Sequence, residues 1–349
     1  MNKAFIKQKK FYIPFAIIVL LVVFRMILPQ ILLHQTNKYL SEFSPTYYLH
    51  MDDLDISILR GSYRFEKVYG NLKGDEKRFI TIDSVDVSIA WRQIFKGKIV
   101  TDIVTDNVDF LFLKDMSKLS VPNAKKEAQD IKNTLFPVKV ETVDLRHARV
   151  VFEEYPSLDD ESRLRIENIN GRITNLTSSK EDPYSNFNMT ASLQGSSEFV
   201  FIGSLNLTQK PVLWDVDVEL KDFDLTTLNK VLKRNLPLTF TKGKIDLYAE
   251  AKSSDKTIKG YIKPFIRDVD VVKNEERFVS IKHFGIEILT AIGNLILRDS
   301  DTKTVATYLD FNYDGKFNID TGQGISKAIE NGFKQKLQPG IENKYHMEN

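Results

Sequence analysis

Cysteine is absent from all 349 residues. Disulfides, thiolate chemistry and cysteine-ligated zinc are therefore excluded together. Histidine is scarce: His34, His50, His147, His283 and His346 lie too far apart for a short metal motif. Charge of one sign is missing too. The net charge of +2 gives no electrostatic footprint for a nucleic-acid partner. The sequence has no Walker A, GxGxxG or GxSxG pattern. Its titratable residues do not gather into a convergent set, so neither an enzyme nor a cofactor is expected. The one suggestive cluster is HMDDLD, residues 50–55. On a strand, Asp53 and Asp55 would share one face and His50 and Asp52 the other, so the stretch reads as a solvated strand with no metal.

One long apolar run is present. Residues 11–28 read FYIPFAIIVLLVVFRMIL, with Arg25 as the only charge. At 1.5 Å per residue the run reaches roughly 27 Å, enough to cross a hydrocarbon core. Phe15, Ile18, Leu20 and Val23 are its anchor residues. Lys3, Lys7, Lys9 and Lys10 precede it with no acid among them, which predicts a cytoplasmic N-terminus and a body on the other side. The run is long for a cleaved signal peptide, and no small-x-small cleavage site follows it. The expected organisation is a cytoplasmic 1–10, a membrane span 11–28, a juxtamembrane amphipathic helix 29–46 and a β-rich body 47–349. In the juxtamembrane helix, Leu32, Tyr39, Leu40 and Phe43 fall at helical spacing.

From Tyr47 onward the dominant period is two. Leu54, Ile56 and Ile58 alternate with polar residues. Ile80 and Ile82 hold one phase, and Val85, Val87, Ile89 and Trp91 the other, so a bulge is expected at Asp83–Ser84. Val104, Val108, Phe110 and Phe112 form the next stripe. Residues 187–220 read as a meander with Phe199, Phe201, Trp214 and Val216 on its apolar side, and a hairpin joins 245–249 to 258–262. A late strand covers 305–311. Helices are predicted over 122–135, after the cap Asp224, over 276–298 and over 323–337. About fourteen half-apolar strands face few helices. Their apolar faces must close into a barrel, stack as a sandwich, wrap a helix or hold an apolar ligand.

Several segments, in order, resemble a bacterial domain-of-unknown-function family (number 748) of the AsmA-like and TamB-like repeating β-groove group. They are LDISILRGSYRFEKVYGNLK (54–73), VDVSIAWRQIFKGKIV (85–100), FPVKVETVDLRHARVVFEE (136–154), LRIENINGRITNLT (164–177) and GKIDLYAEAKSSDKTIKGYIKP (243–264). Asn37 and Leu40 before them, and Leu337, Pro339 and Gly340 after them, fit the same pattern. The chain is much shorter than the large bridge-like members. The resemblance implies a mainly β fold, a curved antiparallel β-groove behind one transmembrane helix, in the bacterial periplasm. It also implies phospholipid binding or transfer in the groove, with the membrane as partner. Groove candidates are then Ile82, Val87, Ile89, Val108, Phe110, Phe112, Phe199, Phe201, Trp214 and Val216. On this reading a groove too short to bridge the envelope calls for an envelope protein partner or self-assembly. The alternative is a non-catalytic scaffolding envelope protein with a filled core that binds protein partners by sheet edges.

Overall fold

Alternation at period two becomes one sheet in the computed structural model, which describes residues 3–42, 44, 46–57, 60–97, 99–113, 138–153, 162–177, 183–209, 211–232, 238–254, 257–273, 304–306, 308–314, 317–319 and 338–347. Helix α1 (Lys3–Glu42) leads into β1 (Tyr47–Ser57), β2 (Ser62–Leu72) and β3 (Arg78–Ile89). Next come the short helix α2 (Trp91–Ile94), β4 (Ile99–Leu113), β5 (Val138–Glu153), β6 (Leu164–Thr177), β7 (Tyr184–Leu193), β8 (Ser197–Asn206) and β9 (Leu213–Asp224). A 3-10 turn (Leu225–Leu228) and α3 (Asn229–Leu232) precede β10 (Leu238–Ser254) and β11 (Thr257–Lys273). The strands β12 (Thr304–Ala306), β13 (Leu309–Tyr313) and β14 (Phe317–Ile319) complete the set. The helices expected at 122–135, 276–298 and 323–337 lie outside the described residues.

The fourteen strands form a single open, curved sheet whose order follows the chain from β1 to β11 and then β13 and β14; β12 lies beside β11. The expected antiparallel sheet is in fact mixed, because β4 and β5 run parallel. Alternation within a strand carries no information about its neighbour's direction. The late strand comes in two pieces, with Val305 opposite Ile266 and Leu309 opposite Ile262. Trp91 is not on a strand: it opens α2. Asp224 caps the 3-10 turn as expected, accepting from the backbone N–H of Thr226 at 2.9 Å. Leu225, Leu228 and Leu232 bury themselves with Phe223, Phe240 and Ile266 in the largest core cluster.

The span and juxtamembrane segments are one continuous helix, running through Pro14 and Pro29 to Glu42. It is long and apolar enough to cross a membrane, with mean hydropathy 2.6 and none of that window buried. Phe15, Ile18, Leu20 and Val23 are all exposed. The stripe facing the body differs from the expected one. Leu28, Pro29, Leu33, Thr36, Asn37 and Leu40 are half-buried, whereas Leu32 and Tyr39 are exposed. Asn37 sets this geometry. Its side-chain amide donates to the Met51 carbonyl at 2.8 Å and accepts from the Met51 N–H at 2.9 Å, pairing one residue of the edge strand β1.

A crease crosses the first six strands. Residues facing one side normally recur every second position. Here the spacing is three at Met51–Leu54, Phe65–Val68, Ile82–Val85, Thr105–Val108, Leu145–Ala148 and Ile166–Ile169. Four residues at the slip have left-handed backbones: Lys67, Asn107, His147 and Asn168, with φ of 50° to 52°. Polar side chains hold the line together. Asn107 donates to Asp83 at 2.9 Å, His147 Nδ1 lies 2.7 Å from Asp106, and the His147 N–H donates to Asn170. The bulge expected at Asp83–Ser84 is thus the β3 portion of a longer feature. It leaves the β3 register unbroken because both neighbouring strands slip at the same level. One consequence is that Val104 pairs with Asp86 and Asp144 on the polar side, not with Val108, Phe110 and Phe112.

Candidate functional site

Directly paired residues point to the same side of a sheet, so the register reads out each face. One row runs Leu54, Phe65, Val85, Thr105, Leu145, Gly171, Met189, Phe201, Val218, Ala249, Ile262 and Leu309. The parallel row two residues away runs Ile56, Tyr63, Val87, Ile103, Val143, Ile173, Phe187, Gly203, Val216, Ala251, Gly260 and Phe311. Neither row holds a charged residue. The row on the opposite face runs Asp55, Arg64, Asp86, Val104, Asp144, Arg172, Asn188, Ile202, Asp217, Glu250, Tyr261 and Asp310. The sheet is therefore two-sided across twelve strands, with one apolar face and one charged face.

All ten groove candidates fall on the apolar side. Val87 and Val216 lie in the second row and Phe201 in the first. Ile82 pairs with Val108, Ile80 with Phe110, and Phe199 with Leu220. Ile89 follows Val87 in alternation and pairs with Thr101. Phe112 pairs with Phe152, ring centroids 5.7 Å apart, and Trp214 pairs with Leu205. Phe199 and Phe201 pack together onto Ala148, Ile169 and Ala191. Nine of the ten are half-buried, and Phe112 is exposed. Glycine has a defined place on this face. A Cβ on Gly203 would overlap the ring of Phe187, and one on Gly260 the ring of Phe311. Each aromatic thus lies over a neighbouring strand's glycine and fills the gap its missing side chain leaves.

The charged face carries exposed ion pairs, Arg64–Asp86 at 2.7 Å among them. Each is worth little in water, so they keep this side wet more than they stabilise it. Toward β9–β11 the chain covers this face itself. The backbone N–H groups of Asn343, Lys344 and Tyr345 all donate to the Glu250 carboxylate at 2.5 to 2.8 Å. The Tyr261 hydroxyl donates to Glu250 as well, at 2.7 Å. Glu250 is fully buried. Burial works against its ionisation, but these four bonds outweigh burial and hold the carboxyl below the usual range. Met347 N–H donates to Asp215 at 2.6 Å, and Lys263 pairs with Glu342.

One group of potential metal ligands exists among the described residues: Asp217, Glu250 and His346, ligand atoms within 4.8 Å of one another. Both Glu250 oxygens are already saturated, so its first role is to latch the C-terminal segment. Sequence reading missed this latch because Glu250 and its amide partners are more than ninety positions apart. The side chains of the HMDDLD stretch, residues 50–55, take separate partners. His50 lies between the rings of Tyr48 and Tyr69, 3.6 Å from Asp52, while Asp53 accepts from its neighbour's N–H. The resemblance to the AsmA-like group rests on the quoted motifs alone, since no family model and no curated protein matches this chain.

Proposed function

We propose that this chain is an AsmA-like protein, anchored by α1 in a bacterial inner membrane with its N-terminus cytoplasmic and its body periplasmic. On this reading the apolar sheet face binds phospholipid acyl chains and supports envelope lipid homeostasis without catalysing a reaction. The observation that carries the reading is the pair of uncharged rows crossing twelve strands in unbroken register. Burying acyl methylenes there gains about 0.8 kcal/mol each. Two long chains therefore outweigh an ordering cost of roughly 4–15 kcal/mol.

The uniformity of the rows favours transfer over storage. Successive strands offer the same apolar environment every 4.8 Å or so, and a chain moving along them meets no charged residue. Thirteen strands in line give a path of about 58 Å along the sheet. That length serves one membrane and its vicinity, and a full crossing of the envelope needs a partner or a second copy.

The test is lipid extraction. Full-length protein purified gently from membranes and washed free of loose lipid is extracted into organic solvent and analysed by mass spectrometry. Phospholipid in stoichiometric or higher amount is the expected result. Lipid-free, folded protein would sink the reading.

A further inference from the structure

Among the described residues, the apolar side chain most exposed on the body lies past the end of β3, in a turn. Phe95 is 88 % exposed, against 54 % for Val272, the next highest beyond α1 among the described residues. It sits with exposed Ile94 in the tight turn Trp91–Gly97, which joins β3 to β4. Cations flank it: Arg92 and Lys96 on the same turn, and Arg60 on the adjacent β1–β2 turn, all exposed. The two turns are tied together, with Ile89 N–H donating to the Gly61 carbonyl at 2.7 Å. An isolated aromatic ringed by cations on a rigid tip has the pattern of a side chain made for a bilayer interface.

The position of the tip fits. The chain reverses between Glu42 and Tyr47, so β1 runs back alongside α1, with Asn37 level with Met51. From Asn37 the helix needs nine residues, about 14 Å, to reach Leu28, where the apolar run ends. From Met51 the strand covers six residues, about 20 Å, to Ser57 at the tip. The tip therefore reaches the level at which α1 enters the membrane. The opposite rim is the internal control. Its β2–β3 turn holds Lys73, Asp75, Glu76 and Lys77, with balanced charge and no apolar residue.

We propose that the Trp91–Gly97 turn docks on the same leaflet from which α1 emerges: Ile94 and Phe95 enter the acyl region, and Arg92, Lys96 and Arg60 engage phospholipid phosphates. The docking fixes the body on the membrane at a second point besides its anchor. It requires α1 to span the bilayer but does not require the groove to hold lipid.

The absence of cysteine makes the test clean. Phe95→Cys, Glu76→Cys and Val23→Cys are each spin-labelled in the full chain, which is reconstituted into vesicles of phosphatidylethanolamine with a minority of phosphatidylglycerol. Accessibility to oxygen, which partitions into lipid, is compared with accessibility to a water-soluble nickel complex. The label at 95 is expected to match the one at 23, with several-fold less nickel contact than at 76. A label at 95 as nickel-accessible as that at 76, while 23 is in lipid, overturns the docking and leaves the anchor standing. Protection at 95 from both probes, the mark of a protein–protein contact, overturns it too. A label at 23 found in water overturns the docking and the anchor together.

Discussion

Asp217 and Glu250 are direct cross-strand partners whose carboxyls titrate in opposite directions. Glu250 holds four hydrogen bonds, while Asp217 has a buried Oδ1 with no hydrogen-bond partner. Burial pushes Asp217 up to about 6; His346 opposes this, and Glu250, Asp215 and Glu219 add to it. Because its folded pKa exceeds its unfolded one, Asp217 contributes fully to stability below about pH 4, and that contribution is lost as pH rises through about 6. Glu250, held low, behaves inversely: its contribution is present above the ordinary glutamate range and is lost as pH falls through its depressed pKa. Asp217→Asn should therefore gain on wild type as pH rises from about 4 to about 7. Glu250→Gln should lose most at neutral pH, by about 1–3 kcal/mol for each bond left unmade. Urea unfolding from about pH 2 to about pH 7 measures both, Glu250 below the ordinary carboxylate range and Asp217 above it, and slopes of the same sign would show that the latch works some other way.

At the scale of elements the crease governs how the strands bend. Asn107 holds φ at 51° and bonds Asp83. Asn107→Val puts a β-branched residue into a left-handed backbone at a cost of about 1–2 kcal/mol and removes the bond as well. Asn107→Gly loses only the bond. The valine variant should thus be clearly the less stable in thermal unfolding, and equal losses would mean the conformation is not enforced. The crease also marks what sequence could reveal. The phase change between Ile82 and Val85 was legible because apolar residues flank it closely. In β4 the same slip hid inside VTDNVDFLF, where Val104 and Val108 keep even spacing yet face opposite sides. The strands, the long apolar N-terminal helix and the Asp224 cap were legible because each depends on neighbours in sequence. The parallel β4–β5 pair, the Asn37–Met51 pairing and the Glu250 latch depend on contacts between distant positions, for which alternation has no signal.

For the whole molecule, what matters is what covers the apolar rows. A filled protein core and a lipid-lined groove demand the same residues on that face, and differ in what a charge there would meet. Phe201 lies mid-sheet between Met189 and Val218, and Phe110 lies across the crease beside Val150. In a packed core, glutamate at either site is a buried, unpaired charge costing several kcal/mol, a large share of a domain's 5–15 kcal/mol stability. Phe201→Glu and Phe110→Glu would then unfold the body or lower its melting temperature sharply. In a groove the lipid can leave and water can solvate the carboxylate, so the sheet survives and the cost falls on the ligand. We expect both variants to keep the wild-type circular dichroism spectrum and to lose most of their extractable phospholipid. Unfolded variants with lipid-free wild type would instead assign the face to a protein core and leave the sheet edges as the working surface.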